Sequence, residues 1–347
     1  MTRSLCVSVS LWLVVFLVSS CGKPPVQTQE AFVFGTRVEV LVADADAARA
    51  KAAASAVLQE FDRLHRTYHA WQPSELTALN TAIASGKTHA ASRELAGYVA
   101  DAQKVAAAGE YLFDPGIGGL VRLWGFHSDE FRPALPDPAA LAAWRAAAPS
   151  VADLNVDGFS LRSAKHEVAL DFGGYLKGVA LDRAAALLRE QGVRNALINI
   201  GGNVMVLGSK HGEPWRVGIQ HPRQPGPLAT LQLHDGEAIG TSGDYQRYFE
   251  LDGKRYCHLL DPRSAMPVTH TQSLTVLIRP RPQAGMLSDA ASKPLFIAGR
   301  EDWPRLAQKM AVAEVLRVDA DGRLQVTRSL AARLKFEPGV PAPEIIE

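Results

Sequence analysis

Hydrophobic spacing along the chain changes period several times, and each change marks an element. Phe32, Phe34, Val38, Val40 and Val42 fall on alternate positions, with Arg37 and Glu39 between them, which predicts a half-buried strand. From residue 44 to 67 the period lengthens. Ala54, Val57, Leu58, Phe61, Leu64 and Tyr68 lie on one helical stripe. Ser74 stands where it caps a short helix through Leu76, Leu79 and Ile83, and Ser92 starts another that runs to Gly109. Asp137 and Pro138 start a third, with the aspartate at the cap and the proline in the first turn.

The second half reads differently. Val168, Leu170 and Phe172 alternate as a strand, and Ala180, Leu181, Ala184, Leu187 and Leu188 predict a helix that Gly192 ends. Short strand-like runs follow at 196–200, 204–208, 215–220, 228–234, 246–251, 255–260 and 273–279, separated by Gly, Pro and Asp. Asp319-Ala320-Asp321-Gly322 predicts a hairpin turn between two late strands. No internal repeat and no linker divides residues 31–347. The fold class expected is α+β: a mostly antiparallel sheet with packed helices, in a single large domain.

The first 20 residues carry a different signal. Arg3 gives a positive start, and the apolar run from Val9 to Val18 is densest just before Ser19-Ser20-Cys21. At about 10 residues the run is short for a bilayer core of roughly 30 Å. Small residues before a cysteine resemble a bacterial lipobox, so residues 1–20 are expected to be a lipoprotein signal peptide and Cys21 the lipidated N-terminus. An ordinary secretory signal and a membrane anchor helix are the alternatives. Residues 21–30 are polar and proline-containing, as a tether is.

Composition narrows the classes. The 347 residues are 47% hydrophobic and carry a net charge of +1, which excludes a disordered chain and a basic nucleic-acid coat. Removing Arg3 with the signal takes the formal charge to zero. Of the three cysteines, Cys6 leaves with the signal and Cys21 is acylated, so Cys257 is left without a disulfide partner.

Candidate chemistry lies in five segments. In Asp171-Phe172-Gly173-Gly174-Tyr175-Leu176-Lys177-Gly178 a carboxylate is followed by two glycines and then by a lysine near a helix start, a setting that suits phosphate. The spacing is neither a Walker A loop nor GxGxxG. Asn199-Ile200-Gly201-Gly202-Asn203 fits a tight turn or a backbone pressed against a flat ligand. Gly240-Thr241-Ser242-Gly243-Asp244 and His258-Leu259-Leu260-Asp261-Pro262 bring hydroxyls, a histidine and an aspartate close in sequence, with proton transfer open to the His/Asp pair. Without a GxSxG elbow, Ser242 makes a poor hydrolase nucleophile. In Ser288-Asp289-Ala290-Ala291-Ser292-Lys293, Asp289 either binds a hard cation or caps a helix. Phe113-Asp114-Pro115-Gly116 and Trp124-Gly125-Phe126, with Tyr68 and Trp71 upstream, offer aromatics that either hold a heterocycle or fill the core. No CxxC or HExxH accompanies them, which argues against zinc.

Taken in order, TYHAWQPSELTALN, FDPGIGGLVRLWGF, LDFGGYLKGVALD, NIGGNV, TSGDYQRYF, HLLDPRSAMPV and SDAASKPLFIAG resemble the FAD:protein FMN transferase family, also called ApbE. The resemblance runs from FGT at 34–36 to FIAG at 296–299. It implies an enzyme that uses magnesium, cuts the FAD pyrophosphate, attaches FMN to a Thr or Ser of a target protein and releases AMP. It implies that Phe34, Tyr68, Leu112, Phe113, Asp114, Asp171, Lys177 and Leu259 contact FAD. His258 and Asp261 match the family's HxxDP pair, with His258 the expected base for the acceptor hydroxyl. The Gly174 carbonyl and the Asp289 carboxylate match metal ligands. The partner it implies is an FMN-acceptor protein of a membrane-associated electron-transfer complex, with the chain lipid-anchored in the bacterial cell envelope and facing the periplasm.

Two departures stand out. The family's Thr four residues after the metal aspartate is Lys293 here, and a protonated lysine cannot ligate magnesium. The expectation is that Lys293 points away and that Ser292 or water completes the metal's oxygen shell. Ala265-Met266 also replaces the usual glycine of the DPxxGxP segment. Magnesium-dependent hydrolysis of FAD to FMN and AMP, and non-catalytic flavin binding, are the competing functions.

Overall fold

The computed structural model describes residues 25–44, 46–128, 130 and 133–347. The expected signal peptide and Cys21 lie outside the described residues. Among those residues no helix is long and apolar enough to cross a membrane.

A nine-stranded sheet forms the centre, in the order Gln27–Val33, Thr36–Val42, Ala196–Ile200, Asn203–Leu207, Ala238–Gly243, Thr271–Ile278, Glu314–Asp319, Leu324–Thr327 and Glu344–Ile346. All neighbours are antiparallel except the last pair. Alternation along the strands sends side chains to two cores. Val38, Val40, Ile198, Ile200, Leu274 and Val276 face helices Ala47–Thr67, Leu176–Glu190, Ala284–Ala290 and Ser292–Ala298. Val204, Val206, Ile239, Leu277 and Leu316 face the strand pair Trp215–Gln220 and Pro227–Leu233 on the other side. A third cluster, around Trp124, Phe126, Phe249 and Leu260, closes one end. The architecture is the expected α+β fold with a mostly antiparallel sheet.

The predicted caps are in place. Ser74, Ser92 and Asp137 each accept backbone amides at the starts of helices Glu75–Ala84, Arg93–Ala108 and Pro138–Ala147. Four local readings change. The alternation over 32–42 is a hairpin rather than one strand, because Phe34 and Gly35 both take positive φ (56° and 68°) and reverse the chain between Val33 and Thr36. The first of its strands begins at Gln27, so the segment expected to be a tether through residue 30 is already paired there.

Val168, Leu170 and Phe172 are buried but form no strand. Their extended segment is held by a single bridge between Ile117 and Ala169 and by Asn80, which bonds both backbone groups of Leu170. Period-two burial reports one covered side, not a ladder. Conversely, the strand Ala238–Gly243 was not anticipated. Its AIGTSG sequence is poor in large apolar residues because a helix presses on it. A β-carbon on Gly240 would lie 2.3 Å from the Ser288 carbonyl oxygen.

Candidate functional site

Helix Ala284–Ala290 is the element that fixes the chemistry. It lies between Gly240 on the sheet and Gly178 on helix Leu176–Glu190, where a β-carbon would come within 2.5 Å of the Gly285 carbonyl oxygen. Both glycines are needed for that approach. Asp182 receives the Gly285 and Met286 amides, each at 2.8 Å, and so holds the helix start. Burial pushes the Asp182 carboxyl up to about 6.

The far end of this helix presents Asp289 with no exposed side-chain surface. One carboxylate oxygen accepts the Gly178 amide at 3.0 Å. The other accepts the Lys293 ammonium, which also donates to the Asp289 main-chain carbonyl at 2.7 Å. The expectation that Lys293 points away is therefore corrected: the two charges, one turn apart, meet. Burial alone would raise the Asp289 carboxyl, but Lys293 and Lys177 together hold it below the usual carboxylate range. Burial lowers the Lys177 ammonium, with Asp289 opposing and Lys293 and Arg247 adding to the shift.

Ser292 does not complete an oxygen shell either. It is fully buried; its hydroxyl donates to the Asp289 carbonyl at 2.7 Å and lies 2.7 Å from Ser242 Oγ. Gly174 does sit at this point, since a β-carbon there would meet Lys293 Cε and Phe113 Cε2, each at 3.2 Å. Among the described residues no group of three or more His, Cys, Asp or Glu side chains could hold a metal. A magnesium ion placed on Asp289 would face an ammonium, a repulsion of several kcal/mol at about 4 Å. The residues at Gly174, Asp289 and Ser292 do not fit a resident metal.

His258 lies across from these cations. Both its backbone N–H and its Nδ1 contact the Arg247 carbonyl oxygen, at 3.0 and 3.1 Å. A carbonyl only accepts, so Nδ1 carries the hydrogen and Nε2 keeps its lone pair. Burial, then the charges of Arg247 and Lys177, push the imidazole down to about 3, so it is neutral near pH 7. Asp261 is placed differently. Its carboxylate is taken by the Arg263 guanidinium at 2.8–3.3 Å and by the Arg263 amide at 2.9 Å, which ties down the turn that follows.

The other predicted residues divide. Asp171 belongs to the site: it accepts the Gly173 amide at 2.7 Å and a bond from the Trp71 side chain. Burial raises its carboxyl, while Arg247 and His69 pull the other way. Leu259, Leu112 and Phe113 are buried nearby in the helix-side core. Phe34 packs against Phe61 and His65 at the hairpin turn. Tyr68 is a core residue whose hydroxyl bonds Glu94 at 2.6 Å and whose ring meets Tyr98. Asp114 accepts the Gly116 and Val151 amides and the Ser150 hydroxyl, so its side chain builds a loop.

Arg247 was not singled out from the sequence. It lies inside TSGDYQRYF, and its guanidinium bonds the carbonyls of Phe126 and Ser128 while its own carbonyl orients His258. A cavity of about 260 Å³ bounded by Gly202, Thr241 and Tyr245 is on the other face of the sheet, since Thr241 alternates with Ser242.

Comparison with known proteins identifies the family. The ApbE family model matches residues 34–316. The chain belongs to the ApbE family. A relative named FAD:protein FMN transferase from Rhodobacter capsulatus is 42% identical over 320 residues, which is 92% of this chain and 60% of that protein. The chain thus spans under two thirds of that relative's length. One of the same name from Vibrio cholerae is 30% identical over 315 residues, covering 87% of this chain and 90% of its own. Among solved structures, the ApbE protein of Thermotoga maritima superposes with a TM-score of 0.81 at 26% identity, covering 89% of this chain and 99% of that one. The flavin transferase ApbE of Vibrio cholerae gives 0.76 at 25% identity, with 89% and 100% covered. The single-domain α+β architecture is that of these ApbE structures.

Proposed function

We propose that this ApbE-family chain is an FAD:protein FMN transferase, which moves FMN from FAD to a Thr or Ser hydroxyl of an acceptor protein. The observation that carries the reading is the charge of Lys177, Lys293 and Arg247 acting on a neutral His258 whose Nδ1 is turned to the Arg247 carbonyl, which leaves the lone pair on Nε2. Membership of the ApbE family supports the same activity, and the charge pattern suits a pyrophosphate.

The step balances as follows. The acceptor hydroxyl oxygen bonds to the phosphorus on the riboflavin side of the pyrophosphate. The P–O bond to AMP breaks, and AMP leaves with its oxygen. The hydroxyl proton goes to His258 Nε2, since an unactivated hydroxyl is a weak nucleophile at pH 7. Lys177 and Lys293 stabilise charge on the phosphates, where phosphoryl-type transfer needs neutralisation and alignment most. Anion binding beside Arg247, Lys177 and Lys293 also offsets the charges that, after burial, depress His258, so the bound substrate strengthens the base.

The acceptor is taken to be a protein of a membrane-associated electron-transfer complex. The chain is taken to be anchored through Cys21 in the cell envelope, facing the periplasm; the lipobox-like VSSC sequence supports this. Incubation with FAD and candidate acceptors tests the function. Covalent flavin on the acceptor supports transfer. Free FMN and AMP without labelling support hydrolysis, and intact bound FAD supports a binding protein.

A further inference from the structure

The position one helical turn after Asp289 is filled by a lysine whose ammonium lies on that carboxylate. The side chain of Asp289 is fully buried and that of Lys293 is 13% exposed. An ammonium has three N–H bonds and accepts none. Two of those on Lys293 go to the carboxylate and main-chain carbonyl of Asp289, which leaves one for an outside acceptor. Its stem is fixed as well, because it crosses the glycine loop beside Gly174, with the Phe113 ring at the same distance from that glycine. Lys177 comes from the neighbouring helix and makes no hydrogen bond among the described residues, although Asp289 attracts its charge. The hydroxyl next to Lys293, on Ser292, is turned to Ser242 and to the Asp289 carbonyl. Thus the Asp289 carboxylate and the Ser292 hydroxyl are already engaged, and one N–H of Lys293 is left over.

Resting on the flavin-transfer reading, we infer that Lys293 is the built-in cation of this site. Its ammonium, fixed by Asp289, donates the remaining N–H to the pyrophosphate of FAD and does there what a divalent metal would otherwise do. With Lys177 and Arg247 it gives three cations, one of them neutralised by Asp289, against a diphosphate diester that carries two negative charges. The site then needs no metal to hold FAD.

The test uses purified protein, with and without Lys293→Thr, and needs no acceptor. Calorimetry with magnesium alone should give no saturable binding for the natural protein and saturable binding for Lys293→Thr. Flavin fluorescence should show FAD affinity of the natural protein unchanged by excess chelator. In chelator, Lys293→Thr should bind FAD about tenfold to a hundredfold more weakly, as expected for a lost charge-assisted hydrogen bond, and magnesium should restore it. Saturable magnesium binding by the natural protein together with loss of FAD affinity in chelator overturns the inference. So does FAD binding by folded Lys293→Thr that matches the natural protein in chelator. If FAD is held without metal, as predicted, but no acceptor is ever flavinylated, the transfer reading fails while the role of Lys293 at the pyrophosphate stands.

Discussion

The Lys293 ammonium rests on the carboxylate and the main-chain carbonyl of Asp289, one helical turn before it. Asp289 is buried and the Lys293 side chain only slightly exposed, so water screens the two charges less than it would a surface pair. Removing one partner strands the other, and the penalty for that exceeds the net worth of the pair.

Asp289→Ala is therefore expected to destabilise the fold by about 3 kcal/mol, because it also leaves the Gly178 amide without its acceptor. Asp289→Asn keeps an oxygen for that amide and should lose less. Urea unfolding of both variants checks the order; equal loss would show that the charge on Asp289, and not its oxygen on the Gly178 amide, carries the whole effect.

His258→Ala is expected to bind FAD normally and to transfer FMN about 10²–10⁴-fold more slowly. The binding arm is read by flavin fluorescence and the rate by quenched-flow labelling of an acceptor. Unchanged transfer by a folded variant would remove His258 from proton transfer. Asp261, engaged by Arg263, would be the next residue to test.

The depressed His258 also makes a stability statement. Its ring is held near 3 in the folded chain against an ordinary 6.5 when unfolded. Below 6.5 the unfolded state takes up a proton that the folded state refuses, so stability is lost as pH falls from 6.5 toward 3. The loss is about 1.4 kcal/mol per pH unit. Above 6.5 this contribution is constant. Denaturant melts of the natural protein and His258→Gln at pH 7 and pH 5 isolate it: the variant should lose less on acidification, and identical losses would contradict the assignment.

Gly240→Ala tests how Asp289 is positioned. The added methyl group would meet the Ser288 carbonyl oxygen at 2.3 Å, so helix Ala284–Ala290 must move. Overpacking of this kind costs about 1–3 kcal/mol. A lower melting temperature with weakened FAD binding is expected. Normal FAD affinity would show that the close approach serves packing alone.

Much of this was legible in the chain. Helix caps at Ser74, Ser92 and Asp137 could be read because capping needs one short polar side chain at one place. The hairpin at Phe34-Gly35 was hidden because an aromatic residue rarely takes positive φ, and its ring is held there by Phe61 and His65. The strand Ala238–Gly243 was hidden because its glycine and hydroxyl residues answer to a helix far off in sequence. At the site, residue types and motif spacing marked Asp171, Lys177, His258 and Asp289. They could not show that Tyr68 and Asp114 are engaged inside the protein, that Arg247 orients His258, or that Lys293 turns inward. Each of those depends on which of several possible partners the fold brings within hydrogen-bond reach.

The central claim is transfer of FMN to a protein hydroxyl. Its most direct test is mass spectrometry of a candidate acceptor after incubation with this protein and FAD, with AMP quantified in the same reaction. The account predicts one FMN added through a phosphoester at a single Thr or Ser, and one AMP released for each FMN attached. Release of AMP and free FMN in equal amounts, with every candidate acceptor unmodified, would contradict it.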